Sequence, residues 1–363
     1  RVVPQIDLFK IHHFDNKARA TSLKMLEFNM RSDTIEDLPF PVGTVLNQEQ
    51  TQVLKRYNAK DVRETKSFHA RSQDMIRFRE NLCTLFPGRD WINFNDTKIG
   101  KEYFTMKLEE AGVACYDFGP NGRTPRQTPR PYIDLNDAIL PWIEFQQPEF
   151  QRVLDWLKGQ VITETKGVFK DVTARVDGLD YVFGLGGIHG SVENEVVTAD
   201  DDYRIIDLDV SSYYPNLAIA NEFHPRHLGK QFCAIYKGLY EQRKSYDKKS
   251  SESAMLKLAL NGVYGDSNSR FSVFYDPLFT MSITLNGQLL LCLLAERLLT
   301  VPTLKVIQCN TDGLTVRVRR EMESSVMQVA AAWERRTQLQ LEYAHYTRMY
   351  VRDCNNYIAE YDE

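Results

Sequence analysis

The sequence predicts an α+β protein of more than one domain, with an antiparallel sheet carrying helices on one face. Arg204–Val210 reads as a strand, and the two-residue period puts Asp207 and Asp209 on one side of it. Leu304–Arg319 reads as a β-hairpin, with Val306–Cys309 and Leu314–Arg319 flanking a tight turn at Asn310–Gly313. Residues 232–265 have the pattern of two helices, and a later helix carries Val326, Ala330 and Trp333 on its inner face. Elements in this order suit a split β-α-β arrangement.

A chain of 363 residues can bury a substantial core, and 43% hydrophobic with 26% charged residues is an ordered globular composition. The net charge of −4 gives no overall attraction to a polyanion, so nucleic-acid affinity must reside in local patches. The six cysteines (Cys83, Cys115, Cys233, Cys292, Cys309, Cys354) are scattered without a Cys-x-x-Cys pair. They read as reduced, mostly buried thiols of a cytoplasmic protein rather than a disulfide framework or a zinc site. No membrane partner is expected: the apolar run Leu289–Leu294 is too short to span, and Arg1–Pro4 opens no basic-then-apolar leader. The missing initiator Met suggests a fragment or a processed product.

Residues 50–86 are helix-prone, with Leu54, Tyr57 and Val62 expected to face inward, and Ile99–Ala111 suggests a further helix. Gly119–Pro131 is rich in Pro, Gly and Arg and reads as a linker. Its arginines, Arg123, Arg126 and Arg130, would either lie solvated, the favoured reading, or follow a phosphate backbone. Alternation at Leu339, Leu341 and Tyr343 starts one later strand, and Tyr350–Tyr361 offers another.

Three short patterns carry chemistry. Asp209 ends its strand, where a carboxylate can offer oxygen to a hard divalent cation, and the following Ser-Ser-Tyr-Tyr-Pro turn offers N–H groups and hydroxyls to phosphate. Alone, such an aspartate is more often a turn former. Lys257, Asn261 and Tyr264 fall at i, i+4 and i+7 on one helix face, beside an apolar stripe of Leu256, Leu260 and Val263. That face presents a cation, an amide and a ring, which suits a nucleotide; an amphipathic helix with a solvated lysine has the same pattern. Gly265 is expected to cap this helix. Asp312 occupies the hairpin tip, where Asp-Gly is also ordinary turn chemistry. The conjunction decides, because two oxygen-rich strand ends can clamp a pair of Mg²⁺ ions ~3.5–4 Å apart for phosphoryl transfer. Between Arg226 and Arg270 nine Lys/Arg stand against four Asp/Glu, a local excess of positive charge in an acidic chain.

Asp209-x-x-Ser212-Tyr213-Tyr214-Pro215, Lys257-x-x-x-Asn261-x-x-Tyr264-Gly265 and Thr311-Asp312 resemble, in order, motifs A, B and C of family B DNA polymerases. Leu185–Gly190 resembles the glycine-bearing segment between exonuclease and polymerase regions, Tyr57-x-x-x-Asp61 the third exonuclease motif, and Asn355–Ala359 a palm strand. The resemblance implies a palm, short helical fingers and the C-terminal part of an exonuclease-like domain. Its implied boundaries are 1–115 exonuclease-like, 116–200 linker and pre-palm, 201–230 palm, 231–268 fingers and 269–363 palm without a thumb.

The implied activity is template-directed transfer of deoxynucleotides from dNTPs to a primer on DNA. Two Mg²⁺ ions, with Mn²⁺ as a substitute, would be held by Asp209, Asp312 and the Val210 carbonyl. Ser212 and Tyr213 would meet the triphosphate through their backbone, and Tyr214 would lie beneath the sugar and exclude a 2′-OH. Arg243, Lys257 and Asn261 would grip phosphates, with Lys257 also protonating pyrophosphate and Tyr264 stacking nearby. Gly186, Gly187, His189, Gly190 and Gly265 would approach the primer-template.

Asn310 stands where the family usually has Asp, which is expected to weaken metal affinity or alter metal preference. The short interval from Asp209 to Lys257 suggests a compact, bacteriophage-like enzyme primed by an oligonucleotide, working in host cytoplasm. Without the upstream exonuclease motifs or a thumb, weak synthesis is expected, or synthesis that needs a second chain supplying those parts. Two rival readings remain: a remnant or partner-dependent 3′–5′ exonuclease around Tyr57 and Asp61, and a non-catalytic module that binds primer-template.

Overall fold

The computed structural model describes residues 5–16, 19–120 and 122–362. Arg1–Pro4, read above for a leader, and Asn121 of the expected linker lie outside the described residues. The chain divides into two compact units, one of Arg1–Tyr103 with Tyr246–Ala259, the other of Phe104–Ser245 with Leu260–Glu363.

The first unit is helical. It contains α1 (Leu8–Ile11), α2 (Leu23–Met30), α3 (Gln48–Arg71), α4 (Gln73–Leu85) and the start of α5 (Asp96–Glu110). A reciprocal capping box between Asn47 and Gln50 starts α3, satisfying amides that the first turn leaves unpaired. Leu54 and Tyr57 are half-buried as expected, but Val62 is 60% exposed. The helix is polar on most sides and fully buries only Lys60, so no apolar stripe turns Val62 inward. Ile76, Leu82, Trp91 and Ile99 form the interior, with Arg79 buried among them and bonded to the Phe94 and Met75 carbonyls and to Asp96.

The second unit corrects the linker. Tyr116–Gly119 (β1) and Gly122–Pro125 (β2) pair antiparallel within the Pro/Gly/Arg run. Pro125 is the last residue of its strand, where a missing donor costs no interior ladder bond. Arg126 pairs with Asp117, Arg130 forms two bonds to the buried Asp276, and Gln127 donates to the carbonyls of Arg270 and Ser272. The guanidinium of Arg123 lies 4.4 Å from the centre of the Tyr116 ring, so all three arginines contact the protein.

Ile133–Asp134 (β3) pairs with Val161–Ile162 (β4) on either side of α6 (Pro148–Lys158). The main sheet then uses β5 (Thr173–Val176), β6 (Leu179–Gly184), β7 (Gly187–Ser191), β8 (Glu195–Thr198) and β9 (Tyr203–Val210). After α7 (Tyr213–Ala220), α8 (Gln231–Lys244), α9 (Ser251–Asp266) and α10 (Pro277–Leu298) come β10 (Lys305–Asn310) and β11 (Gly313–Arg319). Helix α11 (Glu323–Thr337), β12 (Leu341–Asp353) and β13 (Asn356–Tyr361) complete the chain. The order is β13-β12-β9-β11-β10-β7-β6-β5, every pairing is antiparallel, and β8 adds to the second half of β12. This is the α+β class expected, with α10 against β7 and β11 and α11 against α10.

Helix α10 is longer and more apolar than the run Leu289–Leu294 suggests. It has the length and composition of a membrane span, yet 94% of the apolar window is buried inside the protein, as in a core helix. Its few polar side chains hold loops to it. Asn286 donates to the Ala138 and Ser282 carbonyls and accepts from Leu140, Gln288 accepts from Gly184, and Glu296 accepts from Gln146 and Gln147. A buried amide that satisfies three partners is costly to remove. Asn286→Ala is expected to lower unfolding free energy by roughly 2 kcal/mol or more, measured by urea denaturation; an unchanged midpoint would contradict this role.

Candidate active site

Asp209 is the penultimate residue of β9, where β9 is hydrogen-bonded on both edges. Gly313 of β11 stands opposite it on one side and Glu342 of β12 on the other. The Val210 amide donates to the Asp312 carbonyl at 2.8 Å, which fastens the hairpin tip to the end of β9. The two aspartates singled out in the sequence are thus neighbours on adjoining strand ends. Thr311, not the glycine, takes the left-handed backbone of the turn, at φ 57°. Gly313 is glycine for want of space: a β-carbon there would overlap the Asp209 carboxylate.

Both carboxylates are open to solvent on one side. Protein surrounds them closely enough, however, to disfavour their charged forms. Asp209 is pushed up to about 7, first by burial and then by the charges of Asp207, Asp312 and Glu342. Asp312 is raised too, mainly by burial, with a contribution from Asp207. Asp207 is itself committed, accepting from the Thr315 hydroxyl at 2.6 Å and the Tyr346 hydroxyl at 2.9 Å. Among the described residues no group of three or more His, Cys, Asp or Glu side chains is gathered as a metal cage. What is present is a repelling pair of oxygen donors, whose charged forms a hard divalent cation would favour. Asn310 does not join them: its amide donates to the Cys354 carbonyl and its oxygen accepts from Thr311.

Three tyrosines wall the same strand end. Ser212, left-handed at φ 45°, turns the chain into α7, whose first-turn amides lack helical partners. Tyr213 is buried and donates to the Gly287 carbonyl, so only its backbone can meet a ligand. The Tyr214 ring stacks on Tyr213, at 5.7 Å between centroids, and packs at a tilt of 38° against Tyr264, at 4.4 Å. The glycine segment closes this wall. Tyr264 donates to the Leu185 carbonyl and Tyr214 to that of Gly186, while His189 shares a hydrogen bond with Thr311. A β-carbon on Gly187, at φ 137°, would press on Thr311 and the Tyr214 hydroxyl. A β-carbon on Gly190 would overlap the Asp180 carbonyl, whereas Gly186 has open space.

Other expected residues lie as follows. Arg243, in the last turn of α8, is half-buried, and its Nε has no hydrogen-bond partner among the described residues. Asn261 and Gly265 lie on the exposed face of α9, which continues through Asp266, so Gly265 does not cap it. Lys257 is exposed one turn before Asn261 and belongs to the first unit. Tyr57 and Asp61 also lie in that unit, facing an internal cation. The Lys24 ammonium is 4.7 Å from the centre of the Tyr57 ring and 3.4 Å from Asp61, and it pairs with the fully buried Glu27. Sequence reasoning missed Glu342, whose link to Asp209 depends on strand register, and the commitment of Asp207; the shared face of Asp207 and Asp209 was the one available signal.

No family model and no curated protein matches the sequence. Among solved structures, the chain is similar to the family B DNA polymerase from the hyperthermophilic archaeon Pyrobaculum calidifontis, at 15% identity and a TM-score of 0.43. The match covers 98% of this chain and 44% of that polymerase, so the chain spans less than half its length.

Gly190→Ala is expected to cost about 1–3 kcal/mol through overpacking, and Gly186→Ala close to nothing; equal melting of the two would remove the distinction. In chelator-treated protein Asp209 also sets a pH dependence. Its folded value lies above the ordinary 3.8, so the linked stability is complete below about 4 and lost as pH rises through about 7. Asp209→Asn is therefore expected to melt higher than wild type at pH 8, with the gap closing toward pH 4. A gap that grows on acidification would contradict the sign.

Proposed function

We propose that the chain performs template-directed DNA synthesis, adding deoxynucleotides from dNTPs to a primer 3′ end. The observation that carries this reading is the junction of Asp209 and Asp312 at adjoining strand ends, with Gly313 leaving room for the Asp209 carboxylate. Asp209, Asp312 and the Val210 carbonyl would hold divalent cations, Mg²⁺ or Mn²⁺, which when bound supply charge neutralisation on the phosphates and acidify the attacking hydroxyl.

The chain's own groups orient the substrate. The backbone amides of Ser212 and Tyr213, where the chain enters α7, offer donors to phosphate oxygens. The half-buried guanidinium of Arg243 supplies a cation with an uncommitted donor. Asn261 lies on the same helix as Tyr264, and Lys257 is proposed as a phosphate contact from its motif alone. Tyr214 has little freedom, because its ring is held between Tyr213 and Tyr264 and its hydroxyl is tied to Gly186. A ring fixed beneath the sugar excludes a 2′-OH, which favours deoxynucleotides. The strand ends and glycine segment would face primer-template, with His189 bracing the Thr311 turn. The exonuclease reading gains nothing from Tyr57 and Asp61, where Lys24 already compensates the acid.

The test is extension of a labelled primer on a DNA template with Mg²⁺ and dNTPs. Wild type is expected to extend, with Asp209→Ala and Asp312→Ala each reducing the rate ~100–1,000-fold or more, and Tyr214→Ala admitting ribonucleotides. Extension that survives Asp312→Ala would refute the assignment. Primer-template binding without extension by wild type, even when a chain supplying further polymerase parts is added, would favour the non-catalytic module.

A further inference from the structure

Away from the carboxylates, α10 and α11 enclose a groove of about 510 Å³, within the range of specific ligand pockets. Val329, Ala332, Trp333 and Arg336 line it from α11 at i, i+3, i+4 and i+7, a single helical stripe. Leu293 and Arg297 line it from α10, one turn apart, and Arg335 joins the rim. The inner face of α11 is already spent on the core through Val326, Ala330 and Trp333. Val329 and Ala332 are therefore apolar surface left over beside it, half-buried and exposed respectively.

The charge of this groove is one-sided. Three arginines line it and no aspartate or glutamate does. Arg336 is braced, with its guanidinium 4.8 Å from the Trp142 ring centre and donating to the Trp142 carbonyl. The exposed side chains of Arg297 and Arg335 have no ion-pair partner among the described residues. All three stand in the last turn of their helices, where cations offset the helix dipole. Two helix ends supply about half a negative charge each, against three full positive charges, so the rim stays cationic.

We propose that this groove docks an acidic segment of a partner protein, with carboxylates on the arginine rim and a branched apolar side chain on the floor. Arginine forks bind carboxylates in bidentate pairs, and the Leu293–Val329–Ala332 floor accepts aliphatic carbon. Nucleic acid fits less well. The Trp333 ring is buried and its N–H is spent on the Leu290 carbonyl, so no aromatic face is free to stack a base. A phosphate backbone would also leave the apolar floor uncovered.

Fluorescence anisotropy on the full chain tests this with three labelled probes: a short peptide of aspartates and leucines, the same leucines spaced by lysines, and an oligo-dT of matched charge. The aspartate peptide is expected to bind saturably and to weaken with salt. Its affinity should fall at least tenfold in the double variant Arg297→Glu, Arg335→Glu. It should fall equally in Ala332→Trp, which fills the groove without changing charge. These positions are at the surface, and unchanged thermal melting is the control for folding. No binding by wild type, affinity equal in wild type and both variants, or equal binding of the lysine peptide would overturn the proposal. Oligo-dT binding that is lost in the variants while the aspartate peptide fails to bind would make the groove a nucleic-acid contact instead.

Discussion

The close approach of β11 to β9 at Gly313 and Asp209 governs the arrangement around it. Opposite Asp209, a residue with a side chain would push its carboxylate off the strand end. With glycine there, the Val210 amide reaches the Asp312 carbonyl and the hairpin tip is held beside the first aspartate. Two carboxylates are thereby kept together against their mutual repulsion by backbone hydrogen bonding across a sheet. That ladder is stiff and is formed by residues distant in the sequence, so it can sustain an electrostatic penalty that a loop would relax.

The glycine segment Leu185–Gly190 is the second constraint. Its carbonyls receive the hydroxyls of Tyr214 and Tyr264, its histidine meets Thr311, and Gly187 lies against both Thr311 and Tyr214. Three stretches that read separately in the sequence meet on this short piece of backbone. Its glycines divide by role: Gly187 and Gly190 are needed for close packing, while Gly186 faces open space and offers its carbonyl.

Local periodicity made much of this legible. The strand at Asp209, the hairpin around Asp312, the α8–α9 pair and the inner face of α11 follow from patterns within a few residues of each other. Other features depend on distant partners. Residues around Gly119–Pro131 resemble a linker because Pro and Gly dominate them, but their order comes from each other and from Asp276, Arg270 and Ser272, far along the chain. Glu342 becomes part of the acidic surround through strand register alone. Val62 could not be placed because α3 lacks the apolar stripe that would orient it. Nor does the sequence pattern of Tyr57 and Asp61 reveal Lys24, which reaches them from a separate helix.

The central claim is that Asp209 and Asp312 jointly hold divalent cations against a nucleoside triphosphate. Isothermal titration of Mn²⁺ into the chain, with and without a dNTP, addresses it without requiring turnover. Wild type should bind Mn²⁺, more tightly when the dNTP is present, and Asp209→Asn and Asp312→Asn should each abolish the dNTP-dependent component. Unchanged isotherms in both variants would place the cations elsewhere and contradict the account.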